Sequence, residues 1–274
     1  MAAGTTGPGL AAEAEASPLG GSPDLAEGAW SRRALAVQLA VGRLAAPVCV
    51  PLAVLLMRFG FRWRIRNASE SRALYARLLR EDPRPLLVAA NHLTMVDSAL
   101  IAWGLGSTVD HVLRYRGLPW NVPVQSRVES SWVWRVLAYL MKCLPIPRGG
   151  DRQLVARVLE RLGHLLRSGE VVLMFPEGGR SRSGRIDAES IGQGVGRVIK
   201  QLGDCRVLCV YMRGDAQRSW SNVPAAGDTF TISTRVVEPR SALRGVRASR
   251  DLAAQVLGHL VEMEREYLAG QDLT

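Results

Sequence analysis

The chain has 274 residues, enough for one domain with a full core and a helical appendage. With 47% apolar and 22% charged residues it is neither a disordered nor a collagen-like chain. Its net charge of +10 attracts acidic partners, but no basic run with interleaved aromatics and no binding module is present, so no nucleic acid is expected as a partner.

The basic charge is almost all arginine, since Lys142 and Lys200 are the lysines. Arginine-favouring base composition and an anionic membrane surface are the two readings of that bias. Residues 1–28 are rich in Ala, Gly, Pro, Ser and Glu without apolar periodicity and read as a disordered tail. They lack a basic stretch followed by an apolar one, so no secretory signal is expected. The four cysteines, Cys49, Cys143, Cys205 and Cys209, form no C-x-x-C pair and have no histidine at ligand spacing. Buried reduced thiols and no metal are expected, which suits a cytosolic domain.

Residues 29–66 contain the apolar run ALAVQLAVGRLAAPVCVPLAVLLMRFGF, from Ala34 to Phe61. Its uninterrupted part, Leu44 to Met57, is shorter than the ~20 residues of a spanning helix. Pro47 and Pro51 are expected to break the helix, and Arg58, Arg62, Arg64 and Arg66 follow. That is the pattern of an interfacial or half-inserted anchor. A core helix and a true membrane span are the competing readings.

Residues 67–270 read as the main domain. Helices are expected over Glu70–Arg80, Val96–Leu105, Trp132–Met141, Gly192–Leu202 and Arg250–Leu268. Another follows Asp151, a good N-cap, with Leu154, Val155, Val158, Leu162 and Leu165 at helical spacing. Buried strands are expected over Pro85–Ala90, Val171–Phe175 and Val207–Met212, an alternating one over Thr229–Val237, and a further strand over His111–Tyr115. The class is α/β, with a central mostly parallel or mixed sheet flanked by helices. His111, His164 and His259 read as surface or helix-packing residues. Trp120, Trp132, Trp134 and Trp220 read as core or interface residues, with Trp132 and Trp134 also suited to a membrane interface.

Two constellations carry chemistry. After the first buried strand stands Asn91-His92-Leu93-Thr94-Met95-Val96-Asp97. Loops at strand ends are held by the sheet. His92 is the side chain suited to take a proton near neutrality, and a tight turn would return Asp97 to the imidazole to fix its tautomer. Taken alone, H-x4-D reads first as a structural histidine with a capping aspartate. After the second buried strand stands Pro176-Glu177-Gly178-Gly179-Arg180-Ser181-Arg182-Ser183-Gly184-Arg185. A glycine turn frees backbone N–H groups for an anion, and guanidinium forks match phosphate oxygens.

Together, NHLTMVD and FPEGGRSRSGR resemble the two defining blocks of the lysophospholipid (glycerol-3-phosphate/1-acylglycerol-3-phosphate) acyltransferase family, N-H-x-S-x-x-D and F-P-E-G-T-R-S. The resemblance covers Arg62 to Pro239. It implies a thioester donor, acyl-CoA or acyl-carrier protein, as co-substrate, and a glycerolipid acceptor. It also implies membrane association through the N-terminal apolar segment, on the cytoplasmic face, peripheral or monotopic. His92 and Asp97 match the catalytic pair, with no cofactor or metal. Thr94, Arg148, Glu177, Gly178 and Arg180 match substrate-binding positions, Arg148 lying in Lys142-Cys143-Leu144-Pro145-Ile146-Pro147-Arg148, which is similar to the family's G-x-I-P-V-D-R block. Lys142, Pro147, Gly179 and the absence of a proline before Val210-Tyr211 depart from the pattern and leave the acceptor open. An acyltransferase for a non-phosphate lipid, a thioesterase and a catalytically silent lipid-binding membrane module are the alternatives.

Overall fold

The computed structural model describes residues 23–147, 152–189 and 191–271, the side chains of 23–31 and 271 excepted. Strand β2 (Leu86–Ala90) is buried on both faces because helices cover both. Its apolar, small-residue sequence fits that position. It pairs in parallel with β4 (Val172–Met174) and with β5 (Arg206–Gly214). Beyond β4 lies β3 (Trp120–Asn121), also parallel. Beyond β5, β6 (Thr229–Val237) runs antiparallel and then pairs in parallel with β1 (Arg64–Arg66). The sheet therefore has six strands in the order β1-β6-β5-β2-β4-β3 and is mostly parallel.

Side chains alternate across the sheet into two cores. Leu87, Val172, Val207, Cys209 and Tyr211 pack on α7 (Arg152–Arg167), α8 (Gln193–Leu202) and α9 (Gly245–Gln271). Val88, Ala90, Leu173, Leu208 and Val210 pack on the opposite side, with α2 (Ala68–Glu81), α3 (Asp97–Leu105), Trp63 and Phe230. All four cysteines are free; Cys205 and Cys209 are buried, Cys49 and Cys143 partly so.

The segment expected to be a strand over His111–Tyr115 is helical. Helix α4 (Thr108–Leu113) is set by a reciprocal capping box in which Ser107 and Asp110 satisfy each other's backbone donors. That local S-x-x-D signal outweighs the β-branched residues around it. His111 is buried there, with Nε2 2.6 Å from the Ala102 carbonyl.

Helix α1 (Pro23–Leu55) also departs from expectation. It begins inside the stretch expected to be a tail and runs through Pro47 and Pro51 without ending. A π-turn (Leu56–Gly60) closes it. The stretch Arg32–Gly60 is thus long and apolar enough to cross a membrane by length and composition, against the shorter run read from the sequence. Packing holds the helix through its prolines. Leu35, Gln38, Ala46, Val50 and Met57 form a buried stripe at helical spacing. Leu35 joins the first core, Met57 the second, and Ala46 and Val50 meet Tyr115 and Leu118. The opposite stripe, Val37, Val41, Leu44, Val48, Leu52 and Leu55, is exposed.

Between α4 and α7 lie α5 (Gln125–Glu129) and α6 (Trp132–Leu140).

Candidate active site

The site lies at the C-terminal edge of the parallel strands. Asn91 begins it by continuing the sheet: its side chain donates to the Met212 carbonyl at 3.0 Å and accepts from the Met212 N–H at 2.8 Å. The chain then turns tightly into α3, and Asp97 at its start reaches back. Asp97 Oδ2 lies 2.9 Å from His92 Nδ1 and accepts the Leu93 and Thr94 N–H groups at 2.6 and 2.7 Å. Its Oδ1 accepts the Thr94 hydroxyl at 2.5 Å. Four donors around one carboxylate fix its orientation. Thr94 is completely buried behind Asp97, with its hydroxyl directed at the carboxylate. The His92 side chain keeps 21% exposure against 5% for Asp97, so the imidazole forms the accessible end of the pair.

The second motif closes on the first. Phe175, leaving β4, stacks on the His92 ring. Ser181 N–H donates to the His92 carbonyl at 3.1 Å. Glu177 Oε1 accepts the His92 N–H at 3.0 Å. Burial pushes the Glu177 carboxyl up to about 7, against the lowering effect of that N–H. Glu177 thus touches the histidine backbone.

Gly178 supplies the turn that makes this possible. Its φ of 66° lies in the left-handed region, where a side chain is strained. Gly192 packs on the turn from outside, its N–H donating to the Pro176 carbonyl at 2.7 Å. A Cβ at Gly192 would stand 2.7 Å from that same oxygen.

Arg180 is held by residues that carried no sequence signal. Its Nη1 donates to Asn222 Oδ1 at 3.0 Å, and its guanidinium lies 5.0 Å from the Trp220 ring centroid. The loop carrying them straps the first motif: Ser221 N–H donates to the Leu93 carbonyl and Met95 N–H to the Asn222 carbonyl. Glu177, Gly179, Arg180 and Arg182 line an open cleft of about 650 Å³. Arg148 lies outside the described residues, as does Asp151, the expected N-cap of α7.

Lys142 belongs to a different place. It is buried with φ 54°, a backbone conformation suited to glycine. Its Nζ donates to Glu170 Oε2 at 2.6 Å and to the Leu118 carbonyl at 2.6 Å. Tyr115 and Trp120 present their ring faces to it. Burial lowers the Lys142 pKa, opposed by Glu170. Glu170 precedes β4, at the strand end opposite His92. The departure at Lys142 therefore rebuilds the core beneath the sheet and leaves the site's edge untouched.

A histidine–carboxylate pair and a glycine–arginine turn thus meet on neighbouring strand ends of one α/β sheet. The family model described as Acyltransferase matches residues 65–213, more than half of the chain, and the chain belongs to that family, the lysophospholipid acyltransferases. The matched span runs from β1 to β5 and contains both motifs. The protein is accordingly an acyltransferase. A search of curated proteins returned no match.

Proposed function

We propose that this acyltransferase moves a fatty acyl group from acyl-CoA or acyl-carrier protein onto the hydroxyl of a lysophospholipid or glycerol-phosphate acceptor, in phospholipid synthesis at the cytoplasmic face of a membrane. The observation that carries the reading is the 2.9 Å contact between His92 Nδ1 and Asp97, which fixes Nδ1 as the protonated nitrogen and leaves Nε2 as the base.

In this mechanism Nε2 takes the acceptor's hydroxyl proton as the oxygen attacks the thioester carbonyl. A C–O bond forms and the carbonyl electrons move to oxygen. As the tetrahedral species collapses, the C–S bond breaks and the imidazolium gives its proton to the departing sulfur, which leaves as the free thiol and restores neutral His92. Asp97 stabilises that imidazolium, Thr94 orients Asp97, and Glu177 positions the His92 backbone. Arg180 contacts the acceptor phosphate from its place against Asn222 and Trp220. Arg148 joins it by its match to the family's arginine.

The membrane part of the reading rests on α1. The packing of one stripe of this helix on the domain, from Leu35 to Met57, favours a placement along the protein over one standing across a bilayer. Its second stripe is equally apolar and exposed, which suits a helix lying in the interface, with lipid on one side and protein on the other.

The test uses purified protein, acyl-CoA and lysophosphatidate, with phosphatidate formed as the readout. His92→Ala should abolish turnover; activity within tenfold of wild type would refute the role of His92. An increased acceptor KM is expected for Arg148→Ala. Thioester hydrolysis without acylated lipid would make the protein a thioesterase.

A further inference from the structure

Helix α6 is unlike the other helices of the main domain. It reads Trp-Val-Trp-Arg-Val-Leu-Ala-Tyr-Leu, and no residue in it is buried. Trp132 is 73% exposed and Trp134 48%, with Val133, Val136, Leu137 and Tyr139 exposed beside them. A soluble surface helix of this length presents charged side chains outward. Here Arg135 is the single charge. Exposed apolar surface on this scale marks a binding face.

The helix is joined to α1. Gln38 on α1 donates through Nε2 to the carbonyls of Tyr139 and Cys143, at 3.1 and 3.0 Å. Gly42, one turn further, has no side chain where the Tyr115 hydroxyl and the Leu140 carbonyl approach. The end of α6 is thereby fixed to the part of α1 whose outer stripe, Val37, Val41 and Leu44, is exposed and apolar.

We propose that α6 is a second membrane-docking element, set in the headgroup region of an anionic bilayer beside α1. Three features select lipid as the occupant. Trp and Tyr carry an apolar body and a polar edge, which favours the interface over the hydrocarbon or water. Arg135 can keep its guanidinium among phosphates while its stem stays in the apolar layer. The chain's net charge of +10 draws it to anionic lipid. The inference rests on the membrane reading of α1 and is independent of which acceptor is acylated.

The experiment measures binding of the full chain to vesicles of equimolar phosphatidylcholine and phosphatidylglycerol. Trp132→Ser/Trp134→Ser should lower partitioning about tenfold, the loss of roughly 1.4 kcal/mol of interfacial binding. Both side chains are largely exposed, and an unchanged circular dichroism spectrum would verify the fold. Brominated acyl chains should quench wild-type tryptophan emission and quench it less in Trp132→Phe/Trp134→Phe. Leu44→Ser/Val48→Ser serves as the α1 control. If only the α1 variant loses binding, the role of α6 is refuted and the reading of α1 stands. If neither variant loses binding, both fail. A lipid-free dimer dissociated by the α6 substitutions would assign the face to a second copy and overturn the proposal.

Discussion

Phe175 lies flat against His92, with ring centroids 4.0 Å apart and planes inclined by 15°. The two residues end neighbouring parallel strands, so the sheet itself sets the plane of the imidazole. An aromatic pair contributes roughly 0.5–1.5 kcal/mol beyond area burial. Phe175→Leu should therefore lower kcat by up to about tenfold with little change in acceptor KM. Phe175→Tyr keeps the face and should stay near wild type. Steady-state kinetics on both variants decide the matter; a KM change without a kcat change would separate Phe175 from the base.

Asp97→Asn tests the carboxylate without removing its contacts. An amide oxygen can still accept from Leu93 and Thr94, and the amide nitrogen can donate to the Thr94 hydroxyl. The fold should survive while kcat falls about a thousandfold or more, because the imidazolium loses its counter-charge. Thr94→Val should cost less, since the carboxylate keeps its charge.

Asn222→Ala releases Arg180 without removing its charge. If Arg180 holds the acceptor phosphate, acceptor KM should rise several-fold with kcat preserved, and Arg180→Ala should raise it further. Equal acceptor KM in wild type and both variants would take the phosphate away from this loop.

Glu177 binds its proton more tightly in the fold than in an unfolded chain, because it is buried and its carboxyl is raised to about 7. Its contribution to stability is present below the ordinary glutamate range and is lost as pH rises through about 7. The amount is on the order of 3 kcal/mol. Glu177→Gln cannot ionise, so urea midpoints between roughly pH 5 and 8 should fall less steeply than for wild type. Parallel curves would show that Glu177 does not titrate in this window.

Lys142→Gly relieves a left-handed backbone position but strips Glu170 of its buried cation and leaves it the exposed Arg116 at 3.9 Å. Removing the buried partner of a buried carboxylate costs about 3–5 kcal/mol, far more than the backbone gains. The variant should melt well below wild type while folded enzyme keeps its acceptor KM. A change in KM at unchanged stability would place Lys142 in the acceptor site after all.

The strands were legible because burial on both faces leaves plain apolar runs at Leu86–Ala90 and, within β5, Val207–Met212. The helix at Thr108–Leu113 was not, because four residues of capping chemistry decided it against apolar composition. In α1 the prolines suggested a break, and tertiary packing along Leu35–Met57 overrode them. At the site, His92, Asp97 and Glu177 stood in contiguous motifs and could be read directly. Asn222 and Trp220 could not, since they meet Arg180 across some forty residues of chain through a loop without periodicity.

The buried stripe of α1 has a practical bearing. Leu35, Ala46, Val50 and Met57 are bricks of three separate cores, so α1 and the acyltransferase body share one interior. Cutting the chain before β1 to obtain a freely soluble enzyme would open all three cores at once. Solubilisation of an intact catalyst should come from detergent or from polar substitutions along Val37, Val41, Leu44 and Val48, the side of the helix that the domain does not use.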